Sequence, residues 1–169
     1  MNLLSESATK TWQLIQSGRG RAIASLSVLV YEQGGELSWE DTPLQISFAC
    51  GNVLFLDSMP NGEELRVQLT AWQDPFAGNL TPENQEFVGS YGKWKVIDIS
   101  TVEPYRSLIG QVIKEINPIV NQFGTFSGVQ FGFESTKLYF IVEFDECHIV
   151  LEQESHLLIE KGFKVMDQV

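Results

Sequence analysis

The side chains of this chain best suited to chemistry are its carboxylates, two histidines and two cysteines, and their spacing argues against most of it. Glu63-Glu64 and Asp145-Glu146 are adjacent acidic pairs, and paired carboxylates can move protons or bind a hard cation. Neighbours on a strand point to opposite faces, however, so neither pair is a preformed dyad, and turn caps or edge-strand charges account for both. Glu146, His148, Glu152, Glu154 and His156 share parity along a continuous strand. There His148 and Glu152 would stand about 13 Å apart by strand rise, too far to share an ion. Cys147 adjoins His148, but alternation directs the two side chains apart and denies the thiol its base. SGRGR at Ser17–Arg21 lacks the Lys-Ser/Thr ending of a phosphate-binding loop and reads as a connection. The expectation is no catalytic residue, no metal site and no cofactor.

Binding is a different matter. The segment EQGGELSWEDTP, Glu32 to Pro43, gathers Glu32, Glu36, Glu40 and Asp41 around Trp39. A large aromatic flanked by carboxylates suits a basic protein surface, the ring supplying buried area and the acids pairing with Arg or Lys. These residues form the expected partner-binding set, with Met59, in the turn Met59-Pro60-Asn61-Gly62, as a minor exposed contact. Glu63, Glu64, Asp145 and Glu146 are secondary acidic candidates. The competing reading folds Trp39 back onto the core and leaves the loop merely solvated.

The elements that must position these residues come as the same pattern met twice. GRAIASLSVLVYEQ from Gly20 matches GQVIKEINPIVNQF from Gly110, pairing Ile23 with Ile113, Leu26 with Ile116 and Val30 with Val120. QISFACGNVLF from Gln45 matches QFGFESTKLYF from Gln130, pairing Ile46 with Phe131, Phe48 with Phe133, Val53 with Leu138 and Phe55 with Phe140. Glu63-Glu64-Leu65-Arg66-Val67 then matches Asp145-Glu146-Cys147-His148-Ile149. Blocks in one order argue for a degenerate duplication. The acidic Trp39 segment is an insertion relative to its counterpart NQFGTFSG, which has no charge. Where copies differ is where function can reside.

Leu4, Ala8, Trp12 and Ile15 recur at helical spacing and stop before Gly18, which predicts a short N-terminal helix with a glycine cap. Strands are expected over 22–31, 44–50 and 53–56, with Leu65, Val67, Leu69 and Ala71 on one face of a fourth. A turn-rich connection spans 73–92, with one helical turn over Pro82 to Phe87 capped by Thr81. Further strands follow over 93–100, 111–120, 128–134, 137–144 and 146–153, and Leu157 to Val165 suits either a strand or a short helix. Ile46, Phe48, Phe55, Phe131, Phe133 and Phe140 are the expected core, and Cys50 and Cys147 small buried thiols. The fold class is α+β and β-rich: two degenerate strand–hairpin–strand repeats, about 10–72 and about 93–169, in one antiparallel pseudo-two-fold domain over 1–169 with a short N-terminal helix.

Bulk composition narrows the partners. The chain has 169 residues, 43% hydrophobic with 11 Phe, enough for a core and against disorder. Eleven basic against 22 acidic residues give a net charge of -11, which opposes a nucleic-acid backbone and favours a basic partner. The start, MNLLSESATKTWQ, lacks a signal peptide's basic and apolar regions, and no apolar run approaches ~18 residues, so a cytoplasmic protein with no membrane partner is expected.

The block from Leu108 to Val150, with LIGQVI, GVQFGFES and LYFIVEFDECHIV, resembles small bacterial domains, some of them presumed immunity proteins of polymorphic-toxin systems. The resemblance rests on the "L-x-G-x-x-I" and "G-V-x-F-x-F" strands and the "D-E" that follows, and covers mainly the second repeat. It implies a non-catalytic protein that binds and blocks a toxin. Two other classes stay open: a homodimeric assembly module joined through strand edges, and a small apolar-ligand binder with a pocket between the repeats.

Overall fold

A computed structural model describes residues 5–166; Leu4, the first residue of the predicted helical stripe, lies outside the described residues. Ser5 opens α1 (Glu6–Gln16) by accepting the Ala8 N–H at 3.1 Å, with Glu6 beside the positive helix end. The apolar stripe buries Ala8 and Ile15, and Trp12 meets Phe126 edge to face at 6.1 Å between centroids. Contrary to the expectation, Gly18 does not end this helix as a left-handed cap. It lies in an ordinary turn, where a Cβ would come within 3.0 Å of Leu54 and 3.1 Å of Phe48, a tight fit that those side chains would have to yield to.

The first sheet contains β1 (Ile23–Gln33), β2 (Glu36–Ser38), β3 (Leu44–Phe48), β4 (Val53–Ser58) and β5 (Leu65–Gln68). Gly34 and Gly35, both at positive φ, turn β1 back into β2. β3 continues along the same side of β1 and leads through β4 to β5, while β6 (Lys93–Asp98) pairs with the other side of β1. The second sheet has the order β10-β9-β8-β7-β11, from β7 (Glu115–Val120), β8 (Phe126–Gly132), β9 (Lys137–Glu143), β10 (Glu146–Leu151) and β11 (Lys164–Val165). All these pairings are antiparallel, so the molecule is β-rich with two open antiparallel sheets. The Ala22/Val112 bridge joins the sheets at one corner.

One buried cluster draws Leu26, Ile46, Phe48, Leu54 and Leu56 from the first sheet and Ile116, Phe131, Phe133, Leu138 and Phe140 from the second. The inward face of β4 is therefore Leu54 and Leu56. Phe55 is buried too, but on the opposite face, where it pairs with Gln45 and Gln68. The expected match of Val53 with Leu138 is one residue out of step. The turn Phe48–Asn52, closed by the Phe48 N–H on the Asn52 carbonyl, is one residue longer than Phe133–Thr136, closed the same way.

Other expectations change at element ends. β5 stops at Gln68, leaving Leu69 and Ala71 exposed. α2 (Pro82–Tyr91) runs well past the single turn predicted and buries no residue, its Phe87 stacking on Phe76 and meeting Tyr91 at a tilt. Residues 157–165 divide between α3 (His156–Glu160) and β11. Among the described residues, no helix is long and apolar enough to cross a membrane.

Candidate functional site

The chain between β2 and β3 leaves the first sheet and crosses to β10, the edge strand of the second. Pro43 keeps contact with β1 by accepting the Leu29 N–H at 2.9 Å. Thr42 donates its N–H (2.9 Å) and its hydroxyl (3.1 Å) to the Cys147 carbonyl, and the Asp41 carboxylate accepts the Cys147 N–H at 2.8 Å. Both backbone groups of Cys147 that face outward from the sheet edge are thus satisfied by the loop. Covering an edge in this way protects it from pairing with a foreign strand, and it fixes the loop at Asp41 and Thr42.

Trp39 stands two residues before that staple. It does not fold back onto the core: it is 54% exposed. Its ring lines an open cleft of about 210 Å³ with Val28, Ile99, Tyr105, His148 and Ile149. Burial raises the Tyr105 phenol above its ordinary pKa, assisted by the charge of Glu154, so the hydroxyl stays protonated. His148 Nε2 lies 3.5 Å from a Glu146 carboxylate oxygen. Glu36 and Glu40 are exposed and have no cationic partner among the described residues. The arrangement is a slot lined by Trp39, Tyr105 and His148, with the exposed Glu36 and Glu40 near Trp39 in the chain, a set of groups suited to an Arg or Lys side chain through ring-face and carboxylate contacts.

The other sequence candidates separate. Glu32 is committed to an ion pair with Lys95 across β1 and β6 at 3.3 Å. Asp41 is not a free rim charge, because its carboxylate holds Cys147. Desolvation raises its pKa above 3.8, the hydrogen bonds from Cys147 oppose this, and Asp57 and Glu146 add repulsion. Met59 is half-buried rather than exposed. The secondary acids do come together in space: Asp145 donates its N–H to the Gly62 carbonyl at 2.9 Å, docking the β4–β5 turn with Glu63 and Glu64 against the β9–β10 turn with Asp145 and Glu146. Glycine suits this position, since its φ is +69° and a Cβ would meet the Asp145 carboxylate.

Nucleophilic chemistry at Cys147 is disfavoured by its surroundings. The thiol is fully buried, and burial together with the Asp41 and Asp57 carboxylates pushes its pKa far up, the wrong direction for a thiolate. Cys50, expected to be buried, is instead exposed in the β3–β4 turn, 3.2 Å from Arg21 Nη1. β10 ends at Leu151 and Glu152–Glu154 forms a 3-10 turn, so the expected parity of Glu146 through His156 breaks. Among the described residues no group of three potential ligands converges.

No family model matches this chain, and neither curated proteins nor solved structures give a match. Sequence reasoning missed Tyr105 and the part played by Cys147, because their relation to Trp39 is made by contacts between chain-distant segments. It also missed Phe123 and Phe144, although an aromatic beside Asp145 in a two-residue turn is a visible departure from the usual Asn-Gly.

Proposed function

We propose that this chain is a non-catalytic acidic binding protein whose Trp39 cleft receives a basic side chain of a protein partner. The observation that carries the reading is a half-exposed tryptophan two residues from a loop stapled by hydrogen bonds to the opposite sheet. Holding an anchor before contact lowers the ordering cost of association, and tryptophan is among the residues that dominate interface energies. The net charge of -11 agrees with a basic partner, because opposite charge speeds encounter. An immunity-type role, in which a cytoplasmic protein blocks a basic toxin, fits that chemistry and the resemblance of the second half. In that case a basic toxin encoded beside this gene is inhibited stoichiometrically by the wild type, and Trp39→Ala lifts the block. A neighbouring toxin indifferent to the wild type, or no such gene, refutes the immunity role.

We also infer an ancestral duplication with pseudo-two-fold symmetry. Its support is topological: each sheet contains a four-strand meander, β1-β3-β4-β5 and β7-β8-β9-β10, with a later strand added beside the first, and the first sheet carries β2 in addition. Leu26 faces Ile46 in one sheet as Ile116 faces Phe131 in the other.

A second reading has one observation of its own. An apolar cleft of about 310 Å³ lies beneath α3, lined by Ile119, Tyr139, Leu158 and Phe163. It favours a small apolar ligand, on the outer face of the second sheet rather than between the halves. Binding of an apolar dye that is abolished by filling this cleft with Leu158→Trp tests it.

A further inference from the structure

The two most exposed phenylalanines of the described chain sit together at one end of the second sheet. Phe144 is 82% exposed and Phe123 is 78% exposed. They stand on the β9–β10 and β7–β8 turns, which a meander places at the same sheet end, and both line a shallow notch of about 50 Å³ floored by Val142 and Phe163. Both turns are firmly built. Asn121 Oδ1 accepts the N–H groups of Phe123 and Thr125, each at 3.0 Å, and the Asn121 N–H bonds the Thr125 carbonyl at 3.0 Å. Glu143 pairs with Glu146 across a two-residue turn whose residues, Phe144 (φ 51°) and Asp145 (φ 68°), are both left-handed. That geometry selects Asn-Gly, and a bulky aromatic there is unfavourable. Folding therefore gains nothing from the phenylalanine at this position, and its ring contacts almost only solvent.

We infer that Phe123 and Phe144 form a second docking surface, which takes a basic segment of a protein partner carrying an apolar side chain into the notch. Charge selects this occupant. Glu63 lines the notch, the exposed Asp145 follows Phe144 in the same turn, and the lysine that lines the notch, Lys161, is already paired with Glu143. A second copy would bring the same carboxylates against themselves in a two-fold contact, and an anionic lipid surface would be repelled. The inference does not rest on the Trp39 reading, since either surface can bind while the other stays silent.

The test is an NMR titration of the full chain with a short peptide alternating lysine and leucine, with lysine–serine and glutamate–leucine peptides as controls. The expected result is shift changes centred on Phe123, Val142 and Phe144, with affinity falling about tenfold or more in Phe144→Asn. Asn fits the turn, so that variant keeps its fold, which its own spectrum verifies. Binding should also weaken with added salt and be lost with either control peptide. Unchanged affinity in Phe144→Asn, equal binding of the glutamate–leucine peptide, or shifts confined to the Trp39 cleft would overturn the inference and leave the Trp39 reading standing. So would concentration-dependent dimerisation in sedimentation that Phe144→Asn abolishes, because the occupant would then be a second copy.

Discussion

Replacing Asp41 by Ala and, separately, by Asn isolates the staple that holds the Trp39 loop. In Asp41→Ala the Cys147 N–H, donated at 2.8 Å from a fully buried residue, loses its acceptor. An orphaned buried donor costs about 1–3 kcal/mol. The half-buried Asp41 carboxylate is itself in an unfavourable setting, because desolvation raises its pKa above 3.8 and Asp57 and Glu146 repel it. Removing that charge offsets part of the loss, so a net destabilisation of about 1–2 kcal/mol is expected. Asp41→Asn keeps an acceptor in place without the charge and should match or exceed wild-type stability at pH 7. The two should also differ in pH dependence. A raised folded-state pKa means that the folded wild type holds a proton the unfolded chain has released, so wild-type stability falls as pH rises from about 3.8 through the folded value. Asp41→Asn lacks this component, and its advantage over wild type should grow across that window and then stay level. Urea unfolding across pH, with amide exchange at Cys147, measures both. Equal destabilisation by Asn and Ala, or no loss in Ala, would refute the staple.

Other consequences follow from the same geometry. Trp39→Ala should leave stability within about 1 kcal/mol of wild type, since the ring is 54% exposed. It should speed partner dissociation by the equivalent of roughly 2 kcal/mol or more in surface-plasmon traces. Glu36→Lys with Glu40→Lys should instead slow association with a basic partner and flatten its salt dependence. Phe140→Ala, at a fully buried position between the sheets, should cost about 3–5 kcal/mol by denaturant unfolding. Iodoacetamide should modify Cys50 in the native protein, its thiol pKa lowered by the Asn52 backbone and Arg21, and reach Cys147 only on unfolding.

Strand content was legible in the sequence because alternation reports burial directly: Leu44, Ile46 and Phe48 alternate with Gln45 and Ser47 and form β3 with that face inward. The same signal failed at β4, where three successive residues are buried because both faces of the strand are covered, and the hairpin register slipped by one. Gly18 misled as a cap, since a glycine kept for close packing and one kept for positive φ look alike in sequence. Within the site, the sequence singled out Glu36, Trp39 and Glu40 but left open whether Trp39 folds back onto the core, because exposure of a lone aromatic in a loop is set by tertiary contacts. The role of Asp41 was not legible, because it depends on Cys147, and a contact between residues so far apart in the chain leaves no local pattern. Cys50 shows the limit of parity at a strand's end, where the chain has already turned.

The measurement that bears most directly on the binding claim is site-specific photo-crosslinking from position 39, with p-benzoylphenylalanine replacing Trp39 in the native host and the same probe at exposed Ser135 as control. The account predicts one predominant adduct from position 39, to a basic protein, weakened by Glu36→Lys with Glu40→Lys and absent from position 135. An adduct to an acidic protein or to a second copy of this chain, or equal labelling from both positions, would contradict it.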